Sequence, residues 1–213
     1  MEDLAPAAAY GHKLPAAMQA FGIVTPCRRG QQIYAREDPV DSWYHVISGL
    51  ARKSTVFSDG RRRIVDFLVP GDFFGFSARR ERDFDVEAVT DGTVVAAFPR
   101  RRLEALADTD RDVARLLRDL ACETISRLQG RILILGRVTA MKKVGAFLVE
   151  MARRSHDATV VDIMLTMSRY DIADYLGLSV ETVSRAMTVL QHRRCIELRG
   201  NHLIKILRLE ELD

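Results

Sequence analysis

The stretch Ser168-Arg-Tyr-Asp-Ile-Ala-Asp-Tyr-Leu-Gly-Leu-Ser-Val-Glu-Thr-Val-Ser-Arg185 reads as a helix, a tight turn and a second helix. Ser168 and Asp171 have the spacing of a capping box, which starts the first helix. Gly177 supplies the positive φ that ends it, and Ser179 is a good N-cap for a helix beginning at Val180. Ile172, Leu176, Leu178, Val183 and Ala186 form the shared core of the two crossing helices, with the small Ala173 where they approach closely. Val180, Glu181, Ser184 and Arg185 then share the exposed first turns of the second helix. An apolar group, a carboxylate, a hydroxyl and a guanidinium on one helical face match the chemistry of base edges in the DNA major groove.

Downstream, Cys195–Arg199, a two-residue turn at Gly200-Asn201 and His202–Leu207 read as a two-strand wing. Around the helix pair, Arg169, Ser179, Thr182, Arg193, Arg194 and Lys205 are candidates for phosphate contacts, which position a protein on DNA without reading sequence.

Upstream, from about Asp108 to Arg137, apolar residues recur at spacings of three and four, giving a long amphipathic helix. Such a helix is longer than a small domain needs for its own core. Val113, Leu117, Leu120, Leu128, Ile132 and Leu135 are therefore read as the seam of a homodimer. A second amphipathic helix follows at Val138–Arg153, then a short β-like stretch at Val161–Met167.

Residues 20–107 read as short strands separated by turns: Trp43–Ile47, Ala51–Phe57 with a hairpin signal at Ser58-Asp-Gly60, and Ile64–Val69 before Pro70-Gly-Asp72. Asp85–Thr90 and Thr93–Phe98 are expected to pair as a hairpin around Asp91-Gly92. The fold class is α+β: an antiparallel double-stranded β-roll (20–107), a dimerisation helix (108–137) and a winged helix-turn-helix (138–213), preceded by an arm (1–19).

The composition agrees. A chain of 213 residues, 47% hydrophobic, buries a substantial core. A net charge of +3 excludes a binder driven by bulk charge, so DNA affinity must come from locally arranged basic groups. The Ala-rich N-terminus lacks the layout of a signal peptide, and the apolar run Ile132–Leu135 is bracketed by Arg131 and Arg137, so a cytoplasmic protein without a membrane partner is expected. Cys27, Cys122 and Cys195 are odd in number and far apart, which argues against disulfides and against a metal site.

From about residue 20 the chain resembles the transcription-regulator superfamily of the cyclic-AMP receptor protein and the fumarate–nitrate reductase regulator. Val69-Pro-Gly-Asp72 with Phe74-Gly75 matches the roll, and Asp171–Arg185 matches the recognition motif. The Glu-x-x-Ser-Arg form is that of the fumarate–nitrate and FixK-type branch, which implies a TTGA-N6-TCAA-like palindrome. By that resemblance Arg185 donates to guanine, Glu181 accepts from amino groups of the opposite strand, and Ser184 with Val180 reads the thymine edge. Asp59, Arg61, Arg62 and Arg63 lie where relatives can touch RNA polymerase.

The resemblance also sets which switches to test. A cyclic-nucleotide pocket needs Gly-Glu-Leu and Arg-Ser-Ala; here Gly75 is followed by Phe76-Ser77, and Arg82 by Asp83. Three cysteines cannot build a four-thiolate iron–sulfur cluster in one chain. Haem would require axial ligands, for which His12 and His45 are candidates. The expected protein is a FixK-type activator with no cofactor, acting in microoxic, anaerobic or nitrogen-fixation gene control. Cys195, beside Arg193-Arg194, is a candidate redox-sensitive thiol. The alternatives are a haem- or small-molecule-gated regulator, or a metabolite-binding protein or enzyme whose C-terminal domain is incidental. No nucleophile–base pair or carboxylate dyad supports an enzyme.

Overall fold

The computed structural model describes residues 14–154, 162–200 and 203–212. It divides into two compact units, Met1–Ile125 and Ser126–Asp213. The division falls inside the long helix rather than at either end of it, where the sequence reading placed its boundaries.

Among the described residues the first unit holds eight strands: β1 (Ile23–Cys27), β2 (Gln32–Tyr34), β3 (Ser42–Ser48), β4 (Ala51–Val56), β5 (Arg62–Leu68), β6 (Phe73–Phe74), β7 (Asp85–Ala88) and β8 (Thr93–Pro99). They form two antiparallel sheets, ordered β1-β8-β3-β6 and β2-β7-β4-β5. Alternate residues turn inward, as the two-residue period of a strand requires, so Val46, Ala51, Leu68, Val86 and Val95 are enclosed together.

One pairing departs from the sequence reading. β7 and β8 flank Asp91-Gly92 but lie in different sheets, so they form no hairpin. Thr93 explains the crossing. Its hydroxyl donates to the carbonyls of Leu50 (3.1 Å) and Thr90 (2.8 Å), holding the chain where it passes from one sheet to the other. Gly49 (φ 79°) sits against this crossing, and a Cβ there would come within 2.5 Å of the Thr93 Cα.

A second cluster covers the outer face of the β8-containing sheet. α1 (Ala16–Gln19) and its flanks contribute Leu14, Met18 and Phe21, so residues 14–19 belong to the roll's core rather than to a separate arm. Leu103 comes from α2 (Arg100–Thr109), a helix not foreseen in the sequence. The chain breaks at Asp110, whose carboxylate accepts from the backbone N–H groups of Asp112 (2.9 Å) and Val113 (3.2 Å) and caps α3 (Arg111–Leu135). At 25 residues α3 is about 37 Å long.

The foreseen dimer seam divides along α3. Val113 and Leu120 are buried in the roll's own cluster, so these two serve the protomer's core and are corrected from the seam, while Leu117 is half-buried against that cluster. Leu128, Ile132 and Leu135 are exposed, at 40%, 68% and 36%, and keep the apolar stripe. The periodicity was the same throughout; only the three-dimensional neighbour differs.

The second unit contains α4 (Ala140–Arg154), β9 (Asp162–Met164), α5 (Arg169–Leu176), α6 (Val180–His192), β10 (Ile196–Arg199) and β11 (Leu203–Ile206). The sheet order is β10-β11-β9, so the wing has a third strand. Arg199 pairs with Leu203, which makes the wing connection three residues, one more than the turn read from sequence. Asn201 and His202 lie outside the described residues. Among the described residues, no helix is long and apolar enough to cross a membrane.

Candidate nucleic-acid interface

The helix pair is built by its caps. The Asp171 N–H donates to the Ser168 hydroxyl at 3.1 Å, and the Ser168 N–H donates back to the Asp171 carboxylate at 3.1 Å, closing the box that starts α5. Gly177 adopts a left-handed conformation (φ 68°, ψ 37°), and its N–H and that of Leu178 both reach the Ala173 carbonyl. The Thr182 N–H donates to Ser179 Oγ at 3.2 Å to start α6. These bonds fix where each helix begins and so which side chains face outward.

Val183, Ala186, Met187 and Leu190 of α6 pack inward, while Glu181, Ser184, Arg185 and Thr188 are exposed on the other side. Val180 is half-buried at the first turn. The Glu181 carboxyl is held below the usual carboxylate range, first by its own backbone N–H, then by Ser179, with Arg185 adding attraction. The face thus carries an ionised acceptor one turn before a guanidinium. Thr188, missed in the sequence, extends this face by a further turn, although its hydroxyl donates to the Ser184 carbonyl at 3.1 Å.

The candidate phosphate contacts are unequal. Ser179, Arg193 and Arg194 are exposed, and Lys205 is half-exposed on β11 opposite Glu197. Thr182 is half-buried with its hydroxyl 2.9 Å from that of Ser179. Arg194 ends α6 in a left-handed conformation (φ 57°), which lets the Cys195 N–H reach back to the Leu190 carbonyl at 2.9 Å. Arg169 is half-buried, and desolvation lowers its pKa; its Nη1 is buried with no hydrogen-bond partner among the described residues.

Cys195 is not the activated thiol that its arginine neighbours implied. It is 1% exposed, and its Sγ donates to Glu211 Oε2 at 3.3 Å. Burial, then the Glu211 carboxylate, push its pKa up against the smaller opposing pull of Arg208 and Arg193. A buried thiol beside a carboxylate stays protonated.

A polar cluster behind the helix pair had no reading in the sequence. Tyr175 of α5 is enclosed, and its hydroxyl donates to Glu150 of α4 at 3.1 Å. The Arg131 guanidinium of α3 lies 4.1 Å from the Tyr175 ring centroid and donates from Nη2 to the Tyr175 carbonyl at 3.2 Å. The signal was a charge placed on the packed side of an apolar stretch.

In the roll, Arg82 occupies the place where a cyclic-nucleotide phosphate would need a free cation. It is 4% exposed, donates from Nη1 to the Gly75 carbonyl (2.7 Å) and from Nη2 to the Ser42 carbonyl (2.6 Å), and lies 4.3 Å from the Tyr34 ring centroid. Beside it is a cavity of about 290 Å³ that is also lined by Asp83 and by Phe76, which stands where a ribose-binding carboxylate would be required. These residues do not fit a cyclic nucleotide. His45 is fully buried, with its ring centroid 4.6 Å from that of Phe73; His12 lies outside the described residues.

At the β4–β5 tip, Arg61 and Asp59 close on each other (Nη2–Oδ2 2.6 Å), and this contact holds the Asp59 carboxyl below its usual range. Arg62 and Arg63 lie half-buried on β5, and Val56 and Phe57 are each 51% exposed.

Comparison with known proteins agrees with this architecture. Residues 24–110 match the cyclic nucleotide-binding domain family and residues 142–213 the Crp-like helix-turn-helix domain family. The chain is 39% identical over 201 residues to the nitrogen fixation regulation protein FixK of Rhizobium meliloti (strain 1021), covering 94% of this chain and 90% of the relative. It is 35% identical to the FixK protein of Azorhizobium caulinodans, over 93% and 89% of the two chains. The solved structure of FixK2 from Bradyrhizobium japonicum superposes with a TM-score of 0.82 at 37% identity, covering 90% of this chain and 97% of that one. The winged helix-turn-helix, the roll and the sequence likeness together place this chain in the Crp/Fnr family of transcription regulators, in its FixK-type branch.

Proposed function

We propose that two copies of this chain bind a TTGA-N6-TCAA-like palindrome, each inserting the start of α6 into one half-site, and activate genes of the nitrogen-fixation or microoxic type. The observation that carries this is the exposed face of α6, where capped helix geometry sets Glu181, Ser184 and Arg185 side by side with their hydrophobic counterparts turned inward. Arg185 offers a planar fork to guanine O6 and N7, Glu181 accepts from exocyclic amines, and Val180 with Ser184 meets the thymine edge. Arg193, Arg194 and Lys205 neutralise flanking phosphates.

Two-fold symmetry of the dimer gives two-fold symmetry of the site. The exposed Leu128, Ile132 and Leu135 support this symmetry, since an apolar stripe of that kind is stabilised when a second copy covers it. The roll works without a cyclic nucleotide, haem or iron–sulfur cluster: Arg82 is already committed, His45 is enclosed, and three cysteines fall short of four thiolate ligands. The β4–β5 tip, with Asp59 and Arg61, is the candidate contact for RNA polymerase.

The test is fluorescence anisotropy of the purified chain with a TTGA-N6-TCAA duplex, with no ligand added. Tight binding is expected, with loss of about 1–3 kcal/mol when the half-site guanine is replaced. Binding that appears only on adding a cyclic nucleotide, or that ignores the guanine, would overturn the proposal.

A further inference from the structure

Two turns of α3 do two things at once. Leu128, Ile132 and Leu135, spaced four and three apart, form an exposed apolar stripe. Arg131 and Ile134, interleaved with them, are buried at 9% and 8%. Consecutive helical residues differ by about 100°, so Arg131, three after Leu128 and four before Leu135, borders the stripe, and Ile134 lies further round the helix. All of these residues belong to the unit Ser126–Asp213.

What Arg131 touches lies at the corner of the DNA-reading pair. Tyr175 is two residues before the Gly177 turn and four before Ser179, the N-cap of α6. Its carbonyl lies in the last turn of α5, at the negative end of the helix dipole, and its ring offers a π face to a cation. Arg131 answers both needs: Nη2 donates to that carbonyl at 3.2 Å, and the guanidinium lies over the Tyr175 ring at 4.1 Å. The far end of the ring is anchored in turn, because the Tyr175 hydroxyl donates to Glu150 and the ring packs on Phe147 at 5.5 Å between centroids. Glu150 is also 3.9 Å from Arg154.

We propose that Arg131 is a positioning residue for DNA recognition: it ties the α5–α6 corner to the helical segment that carries the dimer stripe, and so sets the separation of the two recognition helices. This rests on the palindromic-dimer reading above. Arg131 touches no DNA. It acts by making the distance between half-sites a fixed property of the dimer, so that affinity depends sharply on spacer length. A local contact that merely stabilised the fold would affect all spacers equally.

The experiment uses the full chain and three duplexes in which TTGA and TCAA are separated by five, six or seven base pairs. Wild type, Arg131→Met and Arg131→Gln are compared by fluorescence anisotropy, with dimerisation checked by sedimentation. Met preserves the buried stem without the charge, and Gln preserves one donor for the carbonyl; either variant that folds is sufficient. Wild type is expected to prefer six. The variants are expected to bind the six-base-pair site about tenfold more weakly, with the preference over five and seven reduced to about twofold or less while the dimer persists. Equal weakening on all three spacers, or no change, would overturn the inference. A wild-type protein with no spacer preference would instead remove the palindromic reading beneath it.

Discussion

Arg82 donates through Nη1 to the Gly75 carbonyl at 2.7 Å, tying together the two ends of the segment that a ligand-binding roll would use for recognition. The bond is internal, charged and almost wholly buried, so its loss strands the carbonyls of Gly75 and Ser42 and opens space beside Tyr34. Arg82→Ala is therefore expected to destabilise the roll by about 2–4 kcal/mol, measured by urea unfolding. Cyclic AMP is expected to leave the wild-type melting temperature unchanged.

Base reading and phosphate contact separate by salt dependence. Arg185→Ala removes an exposed side chain, so folding stability should stay within about 0.5 kcal/mol of wild type. Discrimination between a TTGA palindrome and scrambled DNA should fall about tenfold or more. Arg194→Ala should weaken both duplexes alike and flatten the slope of log affinity against log salt by about 1. Titrations at several salt concentrations distinguish the two.

The two halves of α3 predict opposite outcomes for one kind of substitution. Ile132→Glu places a charge on the exposed stripe and should give a folded monomer in sedimentation, with intact helical circular dichroism. Leu120→Glu buries an unpaired carboxylate in the roll's cluster and should unfold that unit, at a cost above about 3 kcal/mol. Folded monomers from both would move the seam back towards the roll.

Cys195 should resist modification. Its raised pKa means less thiolate at neutral pH than an ordinary cysteine holds, so exposed Cys122 should alkylate first, as mass spectrometry would show. Folding favours the protonated thiol. That contribution is present below the ordinary thiol pKa and is lost as pH rises beyond it, so labelling at Cys195 should accelerate only in alkaline buffer. Peroxide should not reduce DNA binding through this residue.

The parts of the molecule legible in the sequence were those decided over short distances. Ser168 with Asp171, Gly177, and Ser179 with Thr182 act within a few residues of one another, so caps, turn and exposed face of the helix pair were all readable. Strand partnership was not: Asp91-Gly92 carries hairpin chemistry, but Thr93 bonds to Leu50, forty-three residues away, and sends β8 into the other sheet. Periodicity located the stripe on α3 without saying what covers it, which is why Val113 and Leu120 were assigned to a partner rather than to the roll. Charge misled in a related way. Arg193 and Arg194 adjoin Cys195 in sequence, but burial and Glu211 determine its chemistry. Arg131 looked like the flank of an apolar run, because the aromatic ring it covers comes from another helix.

The left-handed backbone at Arg194 carries an evolutionary implication. A non-glycine residue there costs about 1 kcal/mol, so selection for stability alone would favour glycine, and Arg194→Gly should melt at a higher temperature than the natural protein. An arginine at that helix end has a different value: it holds a positive charge at the close of α6, where a backbone phosphate can meet it. Under the proposed phosphate contact, the position exchanges durability of the fold for grip on DNA, and variants recovered from a screen for heat resistance should lose the second as they gain the first.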